Sequence, residues 1–417
     1  MAFNFYFWII LCSLIGFHLL DSAAGWLNLK SLKATLPEEF KGIYDETEYR
    51  RLLDYSRATS RFEFIDSTFN LGVLLLFWFL GGYRFLNGFA ESLFPSPIAQ
   101  GMLFMGALWI GHLLINLPFD LYETFVIEQK FGFNKTTPRL FFADLLKSTL
   151  LGAFLGGGLL ALVLALFEHG GPRIWLWTWI VTSTLLLLFA YIAPAVILPL
   201  FNKFTPLDEG ELKTAILEYG KTQDFPIAGL FVMDGSRRST KSNAFFTGLG
   251  RMKKIVLFDT LIGNHTVDEL VAVLAHEIGH YKRHHVPQHL AVAVANIGVF
   301  LFLASHFIHS RALFEAFGVE SMPVYCGLAF FLIFYNPLSR LLSVLRGFQT
   351  RHHEFEADRF AAETTRHPRA MIDALKKLSK SNLSNLAPHP LYVTLYHSHP
   401  PVLQRIKAIQ ALGGFKC

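Results

Sequence analysis

Charge is scarce in this chain. Only 17% of its 417 residues are Asp, Glu, Lys or Arg, against roughly 25% in soluble domains, and mean hydropathy is +0.38. A disordered chain and an ordinary water-soluble enzyme are excluded, because neither combines 52% hydrophobic residues with so few charges. Cysteine is scarce too. Cys12, Cys326 and Cys417 form an odd, scattered set that offers neither a disulfide framework nor a thiolate metal cluster. Cys417 is the last residue, so the chain does not itself end in a prenylation box, which needs residues after the Cys. No internal repeat and no low-complexity tract is visible. Net charge is a mild +5, and no nucleic-acid partner is expected.

What the chain has is apolar length. Forty-two Phe and seven Trp suit lipid-facing helices and interfacial belts. Uncharged runs long enough to cross a bilayer, about 17–25 residues, lie at 1–20, 67–83, 92–119, 148–167, 174–201, 284–310 and 321–339. The fifth is the strongest. The sixth is the weakest, because it opens with His284, His285 and Pro287 and holds His289 and Asn296. Polar groups in a span face a bundle interior or a watery cavity; a long buried helix of a soluble domain is the other reading. The first run is longer than a signal-peptide core and lacks a basic leader. An uncleaved helix is expected there, with cleavage near residues 23–25 as the alternative.

Alternate loops then fall on opposite sides. All but Arg84, Arg173 and Arg311 of the 37 Lys and Arg lie on one of them. That asymmetry predicts a cytoplasmic face for 28–61, 121–147, 202–283 and 340–417, with the amino terminus outside. The expected class is a mainly α polytopic membrane protein, with about seven spans and a small α+β unit. Its parts are five spans with their loops (1–201), the α+β unit (202–283), two further spans (284–339) and a cytoplasmic C-terminal part (340–417). Within the α+β unit the pattern predicts a helix over 207–221, strands at 230–234, 242–246 and 255–258, and a turn at 248–250. A helix over 267–281 is capped by Thr266, with Glu269 three residues on. Helices are expected at 348–364, 368–379 and 400–412.

The 267–281 helix carries His276–Glu277–Ile278–Gly279–His280. Residues i and i+4 share a helix face. Two imidazoles so placed can hold one Zn²⁺, with the Glu beside the first His reaching the metal-bound water. A polar patch on an amphipathic helix is the bland reading, but Leu270, Val271, Val273, Leu274 and Ile278 supply an apolar face behind the motif. Catalytic zinc needs a third protein ligand. The metzincin pattern fails, since Arg283 and Val286 occupy its Gly and His positions. Downstream, Glu354 and Asp358 are again i and i+4, which suits a carboxylate ligand plus a carboxylate orienting a zinc-bound His. His284, His285, His289, His352 and His353 are wrongly spaced for the ligand set and read as polar groups near a membrane boundary. Glu356 lies two residues from Glu354 and points to another helix face. His112, with Asn116, is expected to line the bundle interior or a cavity.

HEIGH followed by E-x-x-A-D on a later helix, in this order of spans, closely resembles the type 1 CAAX prenyl protease, a gluzincin-type membrane metalloprotease family. Further matching stretches are 242–245, 255–261 and 396–401 with Arg405. The resemblance implies a zinc endopeptidase that removes the last three residues of prenylated proteins, with the bilayer and a lipidated peptide as partners. It implies His276, His280 and Glu354 as zinc ligands, Glu277 as general base, Asp358 behind the ligands, and His399 and Arg405 as oxyanion donors. For His399 and Arg405 a structural reading stands beside it: a helix start, and an ion pair with an acidic neighbour. Asn243 and Ala244 are implied to bind peptide by strand addition, against an ordinary hairpin. The family's hydrated chamber is expected to be shared. The chain is somewhat shorter than eukaryotic members, which leaves a bacterial inner membrane open beside the endoplasmic reticulum. A quality-control protease without a lipid requirement is the alternative activity. A transporter is disfavoured, because it would leave Glu354 and Asp358 unexplained.

Overall fold

The computed structural model describes residues 1–33, 35–247 and 253–412. Long apolar helices dominate. In chain order α1 is Phe5–Ser31, α2 Glu46–Phe79, α3 Gly82–Leu93 and α4 Pro97–Tyr122; the last continues in π-helical geometry through Glu123–Glu128. α5 is Pro138–His169, and α6 is Ile174–Val196, extended by Leu198–Phe201. Their starts follow from local chemistry. Asn4 caps α1 by accepting from the Phe7 amide, and Asp45 and Glu48 form a capping box on α2. Pro97 and Pro138 occupy first-turn positions, where a missing N–H costs nothing.

The α+β unit follows: β1 (Phe204–Pro206), α7 (Glu211–Thr222), β2 (Ile227–Met233), β3 (Ala244–Thr247), β4 (Lys253–Phe258) and α8 (Val267–Lys282). The sheet order is β1-β2-β4-β3. β1 and β3 pair antiparallel with their neighbours, and β2 runs parallel to β4. Three strands lie where the alternation pointed. β1 was not foreseen, because three residues ending in proline are too short to show a period. The expected turn at 248–250 lies outside the described residues. Both bonds of the Thr266–Glu269 capping box are present. Leu270, Leu274 and Ile278 of α8 share one core with Ile255 and Leu257 of β4.

Two further membrane helices and the C-terminal part complete the chain. α9 is His285–Phe307, α10 Arg311–Phe317, α11 Val324–Phe334, α12 Asn336–Thr365, α13 Pro368–Ser381, α14 Pro390–Tyr396 and α15 Val402–Gln410. α11 and α12 meet at a 52° bend, so the described residues hold six candidate spans, or seven with this bent pair. α12 starts well before residue 348 and carries the E-x-x-A-D segment on the same rod.

Packing concentrates at two places. One core joins the sheet, α8, α13 and α15 to Phe40, to Leu52 of the first turns of α2 and to Phe131. The other joins Phe7, Trp78, Phe104 and Leu164 of the spans to α10 and α11. Between them the spans bury little: in α6 and its extension none of the apolar window is buried, and in α2 only 6%. Such helices behave as staves, fastened near their ends, with apolar outer faces suited to lipid. Between α2 and α4 Asn70 donates to Asn116 at 2.9 Å, and Asn116 meets His112 at 3.0 Å.

Candidate metal centre

α8 and α12 cross closely enough to share side chains. A Cβ on Gly279 would lie 3.0 Å from the Ala357 Cα and 3.2 Å from its carbonyl oxygen. Glycine in the HEIGH motif and alanine in E-x-x-A-D therefore let the two backbones touch. That contact brings the two i, i+4 pairs face to face. His276 Nε2 and His280 Nε2 lie 3.1 Å apart. Glu354 Oε1 lies 3.2 Å from His280 Nε2, and Oε2 lies 3.5 Å from His276 Nε2. All three ligand atoms fall within 4.8 Å of one another.

The shell behind them is ordered. Asp358, 1% exposed, sits 2.9 Å from His276 Nδ1. Arg405 from α15 donates Nε and Nη2 to the two Asp358 oxygens at 2.7 and 2.6 Å, and its Nη1 lies 3.4 Å from Glu354 Oε2. The acidic-neighbour reading of Arg405 is therefore present in the structure, and that neighbour belongs to the site. Pro401 is the N-cap of α15, so the His-Pro-Pro segment does begin a helix. His399 stands just before it, 3.5 Å from Glu354 Oε1, with a side chain 63% exposed. Asn243 is exposed, Ala244 opens β3, and β3 is an edge of the sheet. Among the described residues neither hydrogen-bonds to the His276, His280 and Glu354 group.

Electrostatics favour a cation at the point these atoms face. Glu354 Oε2 is buried and accepts no hydrogen bond among the described residues, which leaves a lone pair for a metal. Burial opposes charge on His276, yet the Asp358 and Glu354 carboxylates outweigh it and push its pKa up to about 9. Burial raises the Glu277 carboxyl above its ordinary range, partly offset by the two histidines. Burial also opposes charge on Arg405, but Asp358 beside it holds the guanidinium firmly protonated. With a metal displacing the His276 proton, the donor set would be two neutral imidazoles and a carboxylate, a known catalytic zinc set, so the residues present fit the ion.

The expectation for the remaining histidines needs correction. His284 and His352 are exposed, in line with boundary groups, but His285 and His353 are buried. His285 Nδ1 lies 2.9 Å from His280 Nδ1, and its Nε2 lies 3.0 Å from Glu356 Oε2. Helical phase hides this contact. α8 ends at Lys282, His284 takes a left-handed φ of 59°, and the chain folds His285 back onto the motif. Glu356 points away from Glu354, as expected, but toward His285.

Comparison with known proteins agrees with this geometry. Residues 26–203 match the CAAX prenyl protease N-terminal family, five membrane helices, and residues 206–412 match peptidase family M48. The chain is 38% identical over 382 residues to the probable CAAX prenyl protease 1 of Schizosaccharomyces pombe, covering 88% of this chain and 80% of that one. It is 36% identical over 414 residues to the CAAX prenyl protease 1 homolog of Oryza sativa, covering 96% of each. The crystal structure of S. mikatae Ste24p superposes with a TM-score of 0.92 at 31% identity, covering 98% of this chain and 100% of that one. With both parts matched and whole-length relatives on either side, the chain belongs to peptidase family M48 as a multi-pass membrane metalloprotease of the CAAX prenyl protease 1 type.

Proposed function

We propose that this chain removes the C-terminal aaX tripeptide from prenylated CAAX proteins, using one zinc ion held by His276, His280 and Glu354. The observation that carries the reading is the convergence of those three ligand atoms within 4.8 Å, two of them on the helix that also carries Glu277. When bound, zinc supplies Lewis acidity, lowering the pKa of a coordinated water and polarising the scissile carbonyl.

The chain's own groups do the rest. Glu277, adjacent to the first ligand, takes the proton of the attacking water and delivers it to the leaving amine nitrogen. His399 is the oxyanion donor with an open approach, since most of its side chain is exposed. Arg405 acts mainly through Asp358: its bidentate grip fixes the carboxylate that orients His276. Asn243, just before β3, and Ala244, which opens it, are assigned to peptide binding because β3 is an edge of the sheet and its outer side can take an extended peptide. The Asn243 carbonyl already accepts from the Phe258 amide, and the Ala244 amide donates to Asn243 Oδ1. The isoprenoid needs an apolar place beside a wet one. Staves that bury little of their apolar length and a His112–Asn116–Asn70 chain of polar contacts suit a hydrated chamber between the spans. The Lys and Arg asymmetry supports a cytoplasmic side for the zinc site and C-terminal part, and the eukaryotic relatives favour the endoplasmic reticulum.

The test is cleavage of a farnesylated CAAX peptide by the purified, detergent-solubilised chain, beside the same peptide without lipid, with Glu277→Gln as the blank. Cleavage after the prenylated Cys, faster with the lipid and absent in the blank, is expected. Equal cleavage with and without lipid would instead support a quality-control protease.

A further inference from the structure

Each zinc histidine has a second ring nitrogen, and its partner decides the tautomer. For His276 that partner is Asp358, at 2.9 Å. For His280 the partner is another histidine. His280 Nε2 faces the metal point, 3.1 Å from His276 Nε2 and 3.2 Å from Glu354 Oε1. A ligand nitrogen carries no proton, so the proton of neutral His280 sits on Nδ1. That Nδ1 lies 2.9 Å from His285 Nδ1, which must then accept. The His285 proton is thereby placed on Nε2, which donates to Glu356 Oε2 at 3.0 Å. Every nitrogen in the chain is satisfied once, with no net protonation, and the tautomers follow from the network.

We propose that Glu356 and His285 form a carboxylate–histidine relay that fixes the tautomer and ring orientation of His280, as Asp358 does directly for His276. Both are positioning residues; neither touches the metal point.

The His285 ring is held for this task. It is 1% exposed and stacks on His353 at 3.9 Å with 3° between planes. His353 Nδ1 in turn meets His289 Nε2 at 3.0 Å. Two elements are thus pinned to the ligand helix through one ring: the start of α9 through His285, and α12 through Glu356 and His353. His285, His353 and Glu356 also lie close enough to suggest an ion of their own. Ring geometry argues against it. In stacked, parallel imidazoles the in-plane lone pairs run side by side and do not converge on one point. Both His285 nitrogens already have partners. Glu356 Oε1 lies 3.7 Å from exposed His352, so the relay ends near the surface.

The inference rests on the proposed zinc ligands, and the experiment separates the two. Full-length chain in detergent is loaded with zinc or cobalt, then challenged with a chelator while metal loss is followed. Wild type should hold one zinc and Glu354→Ala none; failure there removes the ligand set itself. With that established, Glu356→Ala and His285→Phe should lose zinc about ten- to hundredfold more readily and shift the cobalt absorption bands. His285→Phe keeps a ring for stacking on His353, and Glu356 is partly exposed, so a folded variant is at hand. Metal-free Glu356→Ala should melt with metal-free wild type, and His352→Ala should retain zinc as wild type does. Wild-type zinc retention with unchanged cobalt bands in Glu356→Ala would overturn the relay. So would a lowered melting temperature of that variant without metal, or two zinc ions per wild-type chain.

Discussion

The decisive residues come in two pairs, His276/His280 and Glu354/Asp358, and both were legible because helical spacing alone puts each pair on one face. His285 and Glu356 were not legible, because their contact depends on the left-handed turn at His284 and on a neighbouring helix. Nor was the depth of Arg405. Its side chain is 11% exposed and its partner Asp358 1%, so charge is buried here on both sides. Removing one partner from such a pair strands the other. Asp358→Leu is expected to destabilise the protein by about 3–5 kcal/mol and to weaken zinc about ten- to hundredfold. Adding Arg405→Met should recover much of the stability, since an apolar pair tolerates burial, but none of the zinc affinity. Denaturation and metal titration of the single and double variants check this. Joint recovery of both would mean that Asp358 does not orient His276.

At the scale of elements, the site depends on how closely α8 and α12 approach. The sequence showed the two helices and their faces; it did not show that Gly279 is the contact point, because a glycine in a motif says nothing about its neighbour. Gly279→Ala places a methyl 3.0 Å from the Ala357 Cα, against backbone that cannot swing aside. The expected cost is about 1–3 kcal/mol, with reduced zinc affinity because the ligand pairs move apart together. Thr266→Ala removes the other end of the same helix's support, its cap. That change should cost about 1 kcal/mol and leave zinc affinity near wild type. Thermal melting and metal titration of the two variants distinguish them; equal zinc loss in both would refute the close-approach argument.

At the scale of the molecule, each expected charge-free run overlaps a long apolar helix or the bent pair, but helices run past the runs: α2 starts at Glu46 rather than 67, and α12 continues to Thr365 rather than 339. The bend between α11 and α12 falls at Tyr335, just before Asn336 and Pro337; the proline marks a break in the run but not its direction. The sidedness rests on Lys and Arg placement and has its own check. On a background with both Cys12→Ser and Cys417→Ser, Glu209→Cys should react with an impermeant thiol reagent from the cytoplasmic side, and Arg173→Cys from the opposite side. The reverse pattern would invert the topology.

The central claim is that one zinc on His276, His280 and Glu354 works with Glu277 as base. The most direct test measures bound zinc and farnesyl-peptide cleavage on the same purified samples of wild type, Glu277→Gln and Glu354→Ala. One zinc per chain with cleavage in wild type, one zinc without cleavage in Glu277→Gln, and neither in Glu354→Ala are expected. Zinc retained in Glu354→Ala, or cleavage retained in Glu277→Gln, would contradict it.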